Sequence, residues 1–542
     1  MSIPSCVRSP KRRPRFSAGS PRSASVERCA DMLLVSDSVS RNAARDPEKV
    51  ALIVEEAHWT YAQLDEAVNR LSNAMIGLGI ERGQYVTLLS RNRAEHVISY
   101  LATARIGAIL NPINYWLRSG EITALLEQVL PSLVISEPEW FSVVTDYAVH
   151  SSTTVVGLDK AAAGFLLWGE LLATASPDAP TRHVDESDPH IVFYTSGTTG
   201  NPKGVLKTQR GHVLNAAQFA LSLGLTEDDR GLCGFPLFNV GGYESIVHKY
   251  FYVGGSIVIM PRFDAAEILR TIEREHVTVA LFNPTHFRML LDSPAIGDAD
   301  LSSLRLCYIG GMVTSERLLR EVADVFGVGM SGLYHIYGQS EAPPLLTVLR
   351  GVDAERKIGS IGRPVAGVDV RLLAEDGSFV GRGGTGEIVV RANDVMLGYL
   401  HNPTATAEVL VDGWLHTGDV ARMDEDGYLF IAGRQKEIIR TGGQTVFPSD
   451  VEPAILAHES VREVCVIGTP DPSGVWGEQV CAVIALKTGY APDDQRLIDF
   501  LKPQIAGYKV PRRFEYVDEI PKTETMKIDK KRLRAAYGSV FA

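Results

Sequence analysis

Tyr194-Thr-Ser-Gly-Thr-Thr-Gly-Asn-Pro-Lys-Gly204 follows directly on the apolar run Ile191 to Tyr194, and its composition suits a loop wrapped around an anion. Gly197, Gly200 and Gly204 let main-chain N–H groups turn inward and approach oxygen closely. Ser196, Thr198 and Thr199 add hydroxyl donors, and Lys203 adds a point charge. A plain hairpin between strands accounts for the glycines but not for hydroxyls and a lysine gathered in one turn. The pattern G-x-x-x-x-G-K-[ST] does not fit, because Pro202 stands before Lys203 where glycine is required and Gly204 follows it. The stretch predicts a phosphate-binding loop after a buried strand, outside the P-loop NTPase pattern.

Outward from this loop, short apolar runs at Ala51–Glu55, Gln84–Ser90, Ser132–Ile135, Thr154–Leu158, Gly255–Met260, Val279–Phe282 and Arg305–Ile309 read as strands, with helical patterns between them. Thr60 is placed to cap a helix carrying Tyr61, Leu64, Val68 and Leu71. Layers of α and β structure are the expected result. From Arg363 to Tyr399 the segments become short, β-like and punctuated by glycine, which predicts a β-rich subdomain. Beyond Gly433 and Arg434 a separate pattern begins, with strands at Val464–Ile467 and Val480–Leu486 and a helix at Leu497–Leu501. The fold expected is α/β: a large N-terminal lobe over 32–433 and a small α+β C-terminal lobe over 434–542.

Composition excludes several classes. With 45% hydrophobic and 22% charged residues, 49 Gly and 28 Pro, the chain is neither a disordered polymer nor a coiled coil. A net charge of −11 argues against nucleic acid or an anionic membrane as the general partner. There is no apolar run of transmembrane length, and Cys6, Cys29, Cys233, Cys307, Cys465 and Cys481 are scattered without metal-ligand spacing, so a cytoplasmic protein with reduced thiols is expected. Residues 1–31 carry Arg8, Lys11, Arg12, Arg13, Arg15, Arg22 and Arg28 among Ser and Pro. They read as a disordered basic extension, a targeting segment, or an over-long start with the fold beginning near Met32.

The eleven-residue loop is similar to the signature loop of the adenylate-forming superfamily, which includes acyl-CoA synthetases, peptide-synthetase adenylation domains and luciferases. Further blocks follow in order from about Thr60 to Leu533. Tyr337-Gly-Gln-Ser-Glu341 resembles the family's Tyr-Gly-x-Thr-Glu with Ser340 for Thr, and Gly386-Glu-Ile388 through Val395-Met-Leu-Gly-Tyr399 resembles the next element. Asp412-Gly-Trp-Leu-His-Thr-Gly-Asp419, Gly433-Arg-Gln-Lys-Glu437 with Gly442, Gly443 and Pro448, and Pro521-Lys-Thr-Glu-Thr-Met-Lys-Ile528 complete the series. Acyl- and aryl-CoA synthetases are the most similar branch.

The resemblance implies an ATP- and Mg²⁺-dependent carboxylate–CoA ligase that makes an acyl-adenylate, then a thioester, releasing AMP and pyrophosphate. A carboxylate that attacks a phosphate brings like charges together, so cations must gather where charge grows. By the resemblance, Glu341 and Thr198 hold Mg²⁺, while Thr195, Ser196, Gly197, Thr199, Gly200 and Lys203 hold phosphate. Lys527 reaches the attacking carboxylate and the α-phosphate, Tyr337 stacks on adenine, Asp419 grips the ribose and Arg434 meets phosphate. Gly310, Gly311, His335, Gly338 and Ser340 fall in the same nucleotide blocks. Lys436 sits at the hinge of a mobile C-terminal lobe that closes for adenylation and swings away for thioester formation. Taken singly, Asp419 reads as a turn residue, Arg434 as a surface ion pair, Tyr337 as core filler and Lys527 as one lysine of a basic tail. Their order along the chain favours the site.

For the second half-reaction the resemblance assigns Gly442 and Gly443 to a pantetheine tunnel, Trp476 to a face against CoA, and Lys509, Arg512 and Arg513 to its phosphates. A surface tryptophan and basic residues suit packing and solubility equally well. Phe235-Pro-Leu-Phe-Asn-Val-Gly-Gly242 resembles the acyl-site motif, with Asn239 where His is usual. Phe238, Asn239, Val240, Gly241, Met312 and Ala342, with Gly242, Tyr243, Phe282 and Leu345, are the candidate acyl pocket; they suit an apolar acyl or aryl group, and each reads equally as core. His335 stands where Asn or Gln often meets adenine, and Met526 replaces a glycine before the lysine. These departures keep two alternatives open: transfer to a carrier-protein pantetheine or other acceptor, and a catalytically silent nucleotide-binding homologue. With no carrier domain in the chain, CoA is the expected thiol and a small carboxylic acid the expected partner, in a monomer or a homodimer.

Overall fold

Apolar runs buried on both faces build the central strands, as at Val50–Val54, Val279–Phe282 and Leu306–Gly310. The computed structural model describes residues 34–181, 183–195, 202–312, 314–523 and 527–538. In the first sheet Val50–Val54, Ser256–Ile259, Arg230–Cys233, Val279–Phe282, Leu306–Gly310 and Leu333–Tyr337 run parallel. Ala57–Thr60 and Thr347–Leu349 flank this run in antiparallel pairings. Gly310 and Tyr337 therefore end adjacent parallel strands, at the edge where open α/β sheets bind ligands.

The second sheet orders Thr154–Gly157, Leu133–Ser136, Tyr85–Leu89, Ile109–Pro112 and Pro189–Thr195 in parallel. Lys203–Thr208 then pairs antiparallel with Pro189–Thr195, so the predicted phosphate loop lies in sequence between these two paired strands. Residues 196–201, and with them Ser196, Gly197, Thr198, Thr199 and Gly200, lie outside the described residues. The expected cap at Thr60 is a full capping box: its hydroxyl accepts from the Gln63 N–H and the Gln63 amide oxygen accepts from the Thr60 N–H. Leu88, Leu110 and Phe193 of the second sheet and Ile257, Leu281 and Tyr308 of the first share one core. Val368–Leu373, Thr385–Ala392, Trp414–Met423 and Leu429–Arg434 form the antiparallel β subdomain.

After Arg434 the chain makes its own core. Val461–Pro470 and Glu478–Leu486 pair antiparallel, with Arg513–Tyr516 parallel to the latter. Their alternation separates two buried faces: Val464, Val466, Val480, Ala482 and Ile484 pack with Val451, Ile455 and Leu501, whereas Cys465, Ile467, Cys481 and Val483 pack with Ile520 and Leu533. Covered on both faces, this sheet is the centre of the small lobe. No helix among the described residues is long and apolar enough to cross a membrane.

Candidate active site

Asp419 lies in the strand Trp414–Met423 directly opposite Arg434 of Leu429–Arg434. Its carboxylate is almost fully buried, at 6% exposure, and is surrounded by donors. Oδ2 accepts from the Tyr337 hydroxyl at 2.6 Å and from Gln339 Nε2 at 2.5 Å, while Oδ1 faces Arg434 Nε at 3.0 Å. Three donors, one of them charged, offset the desolvation of the carboxylate. Burial first, then the neighbouring Asp419, raises the Tyr337 pKa, so the phenol stays a donor. Gln339 also donates to the Thr417 carbonyl at 3.1 Å, which locks its amide. Sequence reasoning passed over Gln339 because it occupies the variable position of its motif.

Lys527 reaches the same cleft from the small lobe. Its backbone is stapled by Thr523, whose N–H donates to the Lys527 carbonyl at 2.6 Å. The side chain keeps contact with solvent inside the cleft, yet protein crowds the ammonium from several sides. Desolvation lowers its pKa, Arg434 lowers it further and Asp419 opposes both. Ring, carboxylate, guanidinium and ammonium thus converge from Leu333–Tyr337, Trp414–Met423, Leu429–Arg434 and the C-terminal segment. Met526 lies outside the described residues.

Glu341 is held by both of its ends. Its carbonyl accepts from the Met396 N–H at 3.0 Å, and its Oε1 accepts from the Tyr399 hydroxyl at 2.9 Å. Lys203 stands over the Tyr399 ring, 4.7 Å from its centre, so the phosphate-loop lysine and Glu341 share one tyrosine. Gly338 is required in the preceding turn because a Cβ there would overlap the Pro344 main chain. Half-buried Ser340 continues that turn, Thr195 directs its hydroxyl to the Lys203 carbonyl at 3.5 Å, and Gly311 is exposed with φ 81°. Gly310 faces Ile336 so closely that a Cβ would stand 2.7 Å from its Cγ1.

His335 is engaged inside the fold. It is 5% exposed, its Nδ1 donates to the Ser360 carbonyl at 3.0 Å, and burial lowers its pKa to about 4. The imidazole therefore holds main chain beside the strand end. In the acyl motif, buried Phe238 packs edge-on against Tyr115 and Trp116, half-buried Asn239 leads into the short helix Val240–Gly242, and Met312 touches Thr285. Gly241 is half-buried and Ala342 fully buried. Tyr243 stacks on Tyr100 with ring centres 4.1 Å apart, and its hydroxyl donates to the His96 carbonyl at 2.8 Å.

A second group gathers on the small lobe. Arg512 stands over the half-exposed Trp476 ring at 4.1 Å, a pairing 36 residues apart that spacing did not suggest. The Gly442 N–H donates to the Trp476 carbonyl at 2.9 Å, and a Cβ on Gly442 would overlap the indole. Gly443, with φ 74°, has open space in front of it. Lys436 is exposed and, with Glu437, Gly468, Glu478 and Arg534, lines a cavity of about 490 Å³; Lys530 pairs with Glu437 at 2.7 Å.

Known proteins resemble this chain in sequence and fold. The indoleacetate–CoA ligase of Aromatoleum aromaticum is 35% identical over 503 residues, 92% of this chain and 97% of the relative. The feruloyl-CoA synthase of an Amycolatopsis species is 34% identical over 501 residues, 92% of this chain and 98% of the relative. Among solved structures, the anthranilate CoA ligase AuaEII in complex with anthranoyl-AMP matches with a TM-score of 0.85 at 29% identity, over 93% of this chain and 97% of that one. Residues 39–400 match the family described as AMP-binding enzyme and residues 450–527 match its C-terminal domain, so the chain belongs to the AMP-binding enzyme family.

Proposed function

We propose that the protein is an ATP-dependent acid–thiol ligase acting on an aromatic or similarly compact apolar carboxylic acid, with CoA as the thiol. The observation that carries this reading is the convergence of Tyr337, Asp419, Arg434 and Lys527 on one cleft. In this reading Asp419 accepts the two ribose hydroxyls and Tyr337 lies beneath the adenine. A carboxylate oxygen of the acid attacks the α-phosphorus, the bond to the bridging oxygen breaks, and pyrophosphate leaves. Lys527 and Arg434 meet the negative charge that grows on the α-phosphate and steady the incoming carboxylate. In the second step the CoA sulfur adds to the acyl carbonyl, its proton is lost to solvent, and AMP departs.

Mg²⁺ fits the residues present. Glu341 presents an oxygen donor beside Lys203, and no group of three or more His, Cys, Asp or Glu among the described residues gathers to hold an ion by itself. A single carboxylate is the share a protein gives when the ion arrives with nucleotide phosphates. Glu341 and Thr198 would hold it, and it would neutralise phosphate charge.

The acid class is supported by the aromatic substrates in the names of the relatives above and by the Tyr243–Tyr100 stack, which closes the fold behind the acyl motif. Residues 434–542 act as a lid turning about Lys436, and Trp476 with Arg512 meets CoA. A reducing, cytoplasmic setting accords with Cys233, Cys307, Cys465 and Cys481, all free and buried. The test is pyrophosphate release with ATP and Mg²⁺ across aryl, aliphatic and dicarboxylic acids, with and without CoA. CoA-dependent turnover of aryl acids is expected. Turnover confined to long aliphatic acids would overturn the acid class, and pyrophosphate release without a CoA product would overturn the acceptor.

A further inference from the structure

Lys207 is a buried cation that the chemistry above does not use. It lies four residues after Lys203 on the strand Lys203–Thr208 and is 2% exposed. A lysine so placed is costly unless its ammonium is fully engaged. Here Nζ donates to the Ala342 carbonyl at 2.8 Å and to the Asp394 carbonyl at 3.1 Å, with Glu244 Oε2 at 3.9 Å.

Each of these contacts belongs to a different segment of the candidate site. Ala342 follows Glu341. Asp394 precedes Met396, whose N–H holds the Glu341 carbonyl, and Tyr399, whose hydroxyl holds the Glu341 carboxylate. Glu244 follows Tyr243 behind the acyl motif. The strand that carries Lys207 also pairs with Gly398–Tyr399, so Lys207 and Tyr399 approach the Glu341 turn from one platform. Charge alone does not require this geometry: neither Asp394 carboxylate oxygen has a hydrogen-bond partner among the described residues, and the ammonium is spent on two main-chain carbonyls instead.

We propose that Lys207 is a positioning residue that fixes the Glu341 turn against the phosphate-loop strand, so that Glu341 and Lys203 present themselves together to the triphosphate. The proposal rests on the adenylating reading above. It deepens that reading by naming what sets the distance between its two halves of the phosphate site.

The test uses the full chain, with Lys207→Met and the charge-balanced Lys207→Met/Glu244→Gln. Four quantities are read: acyl-AMP formation from ATP, thioester formation from supplied acyl-AMP and CoA, binding of Mn²⁺ with ATP followed by electron paramagnetic resonance, and thermal stability. Misplacing a metal-holding carboxylate by a fraction of an ångström is expected to cut acyl-AMP formation by about 30-fold or more and weaken Mn²⁺ binding by about tenfold. Thioester formation from supplied acyl-AMP should stay within about threefold, because that step does not need the metal that Glu341 would hold. The double variant should recover wild-type thermal stability and still fail to adenylate. Equal loss in both half-reactions would show a merely structural lysine, and recovery of adenylation in the double variant would show charge balance; either overturns the proposal. A wild-type protein silent with every acid overturns the ligase reading instead, and weakened Mn²⁺ binding in Lys207→Met would then still uphold the positioning role.

Discussion

Asp419 and Arg434 are direct cross-strand partners, joined by a 3.0 Å ion pair at the end of the large lobe. Arg434 is also two residues before Lys436, the proposed hinge. The carboxylate proposed to meet the ribose is therefore tied to the start of the C-terminal segment, so that the proposed nucleotide site and the proposed lid share a side chain.

Replacing Asp419 by Asn keeps the shape but leaves one acceptor oxygen for Tyr337, Gln339 and Arg434. Loss of a charge-assisted acceptor is worth roughly 10- to 100-fold in affinity. The KM for ATP should rise by that factor while the KM for the acid holds. An unchanged ATP dependence would remove Asp419 from the nucleotide site.

Lys527→Ala should lower acyl-AMP formation by about 10²-fold or more and leave thioester formation from supplied acyl-AMP much less affected. The pH profile carries a second signature. Because desolvation and Arg434 lower the Lys527 pKa, the required cation is lost on the alkaline side, below the 10.5 of an ordinary lysine. Arg434→Gln should move that limb of the adenylation profile upward; a limb that stays still would assign it to another group.

The stability of the large lobe should depend on Glu244. Burial raises its pKa from 4.5 to about 7, with Lys207 opposing, so between these values the native state holds a proton that the unfolded chain has released. Stability is fully present below pH 4.5 and falls as pH rises towards 7, by up to about 3 kcal/mol. The buried His190, His212 and His248 act oppositely: their pKa values lie below 6.5, and stability falls as pH drops under that value. Denaturant unfolding from pH 5 to 8 should show Glu244→Gln gaining on the wild type as pH rises. Parallel curves would contradict the assignment.

Gly443→Leu should block thioester formation and spare adenylation, since a Cβ there meets open space with the lid in its present position. The left-handed φ of 74° adds about 1 kcal/mol of strain, a cost to be read separately by thermal unfolding. Trp476→Ala should raise the KM for CoA without changing the ATP dependence. Loss of adenylation in Gly443→Leu would place this glycine outside a thiol channel.

Tyr399→Phe removes the hydroxyl that holds Glu341 and keeps the ring beneath Lys203. One lost hydrogen bond to a carboxylate should reduce adenylation by about tenfold. An active variant with unchanged metal dependence would show that Glu341 does not need this anchor.

The α/β layering was legible because both-face burial writes itself as continuous apolar runs, as at Val279–Phe282, and because Thr60 with Gln63 spells a helix start locally. The small lobe was legible from the continuous apolar runs at Val464–Ile467 and Val480–Leu486, which a sheet covered on both faces demands. The glycines, hydroxyls and lysine from Tyr194 to Gly204 were readable as a phosphate loop, since close approach to phosphate restricts residue type locally, whereas the later blocks up to Lys527 were read by resemblance. What only the tertiary structure decided are the partnerships between distant segments: Tyr337 and Gln339 on Asp419, Tyr399 on Glu341, Arg512 over Trp476, and Lys207 beneath Ala342. His335 shows the same division, because its place beside Tyr337 suggested adenine while Ser360, 25 residues on, takes its Nδ1. Local sequence restricts backbone conformation and burial, but a hydrogen bond or ion pair between remote residues depends on which strands the sheet sets side by side.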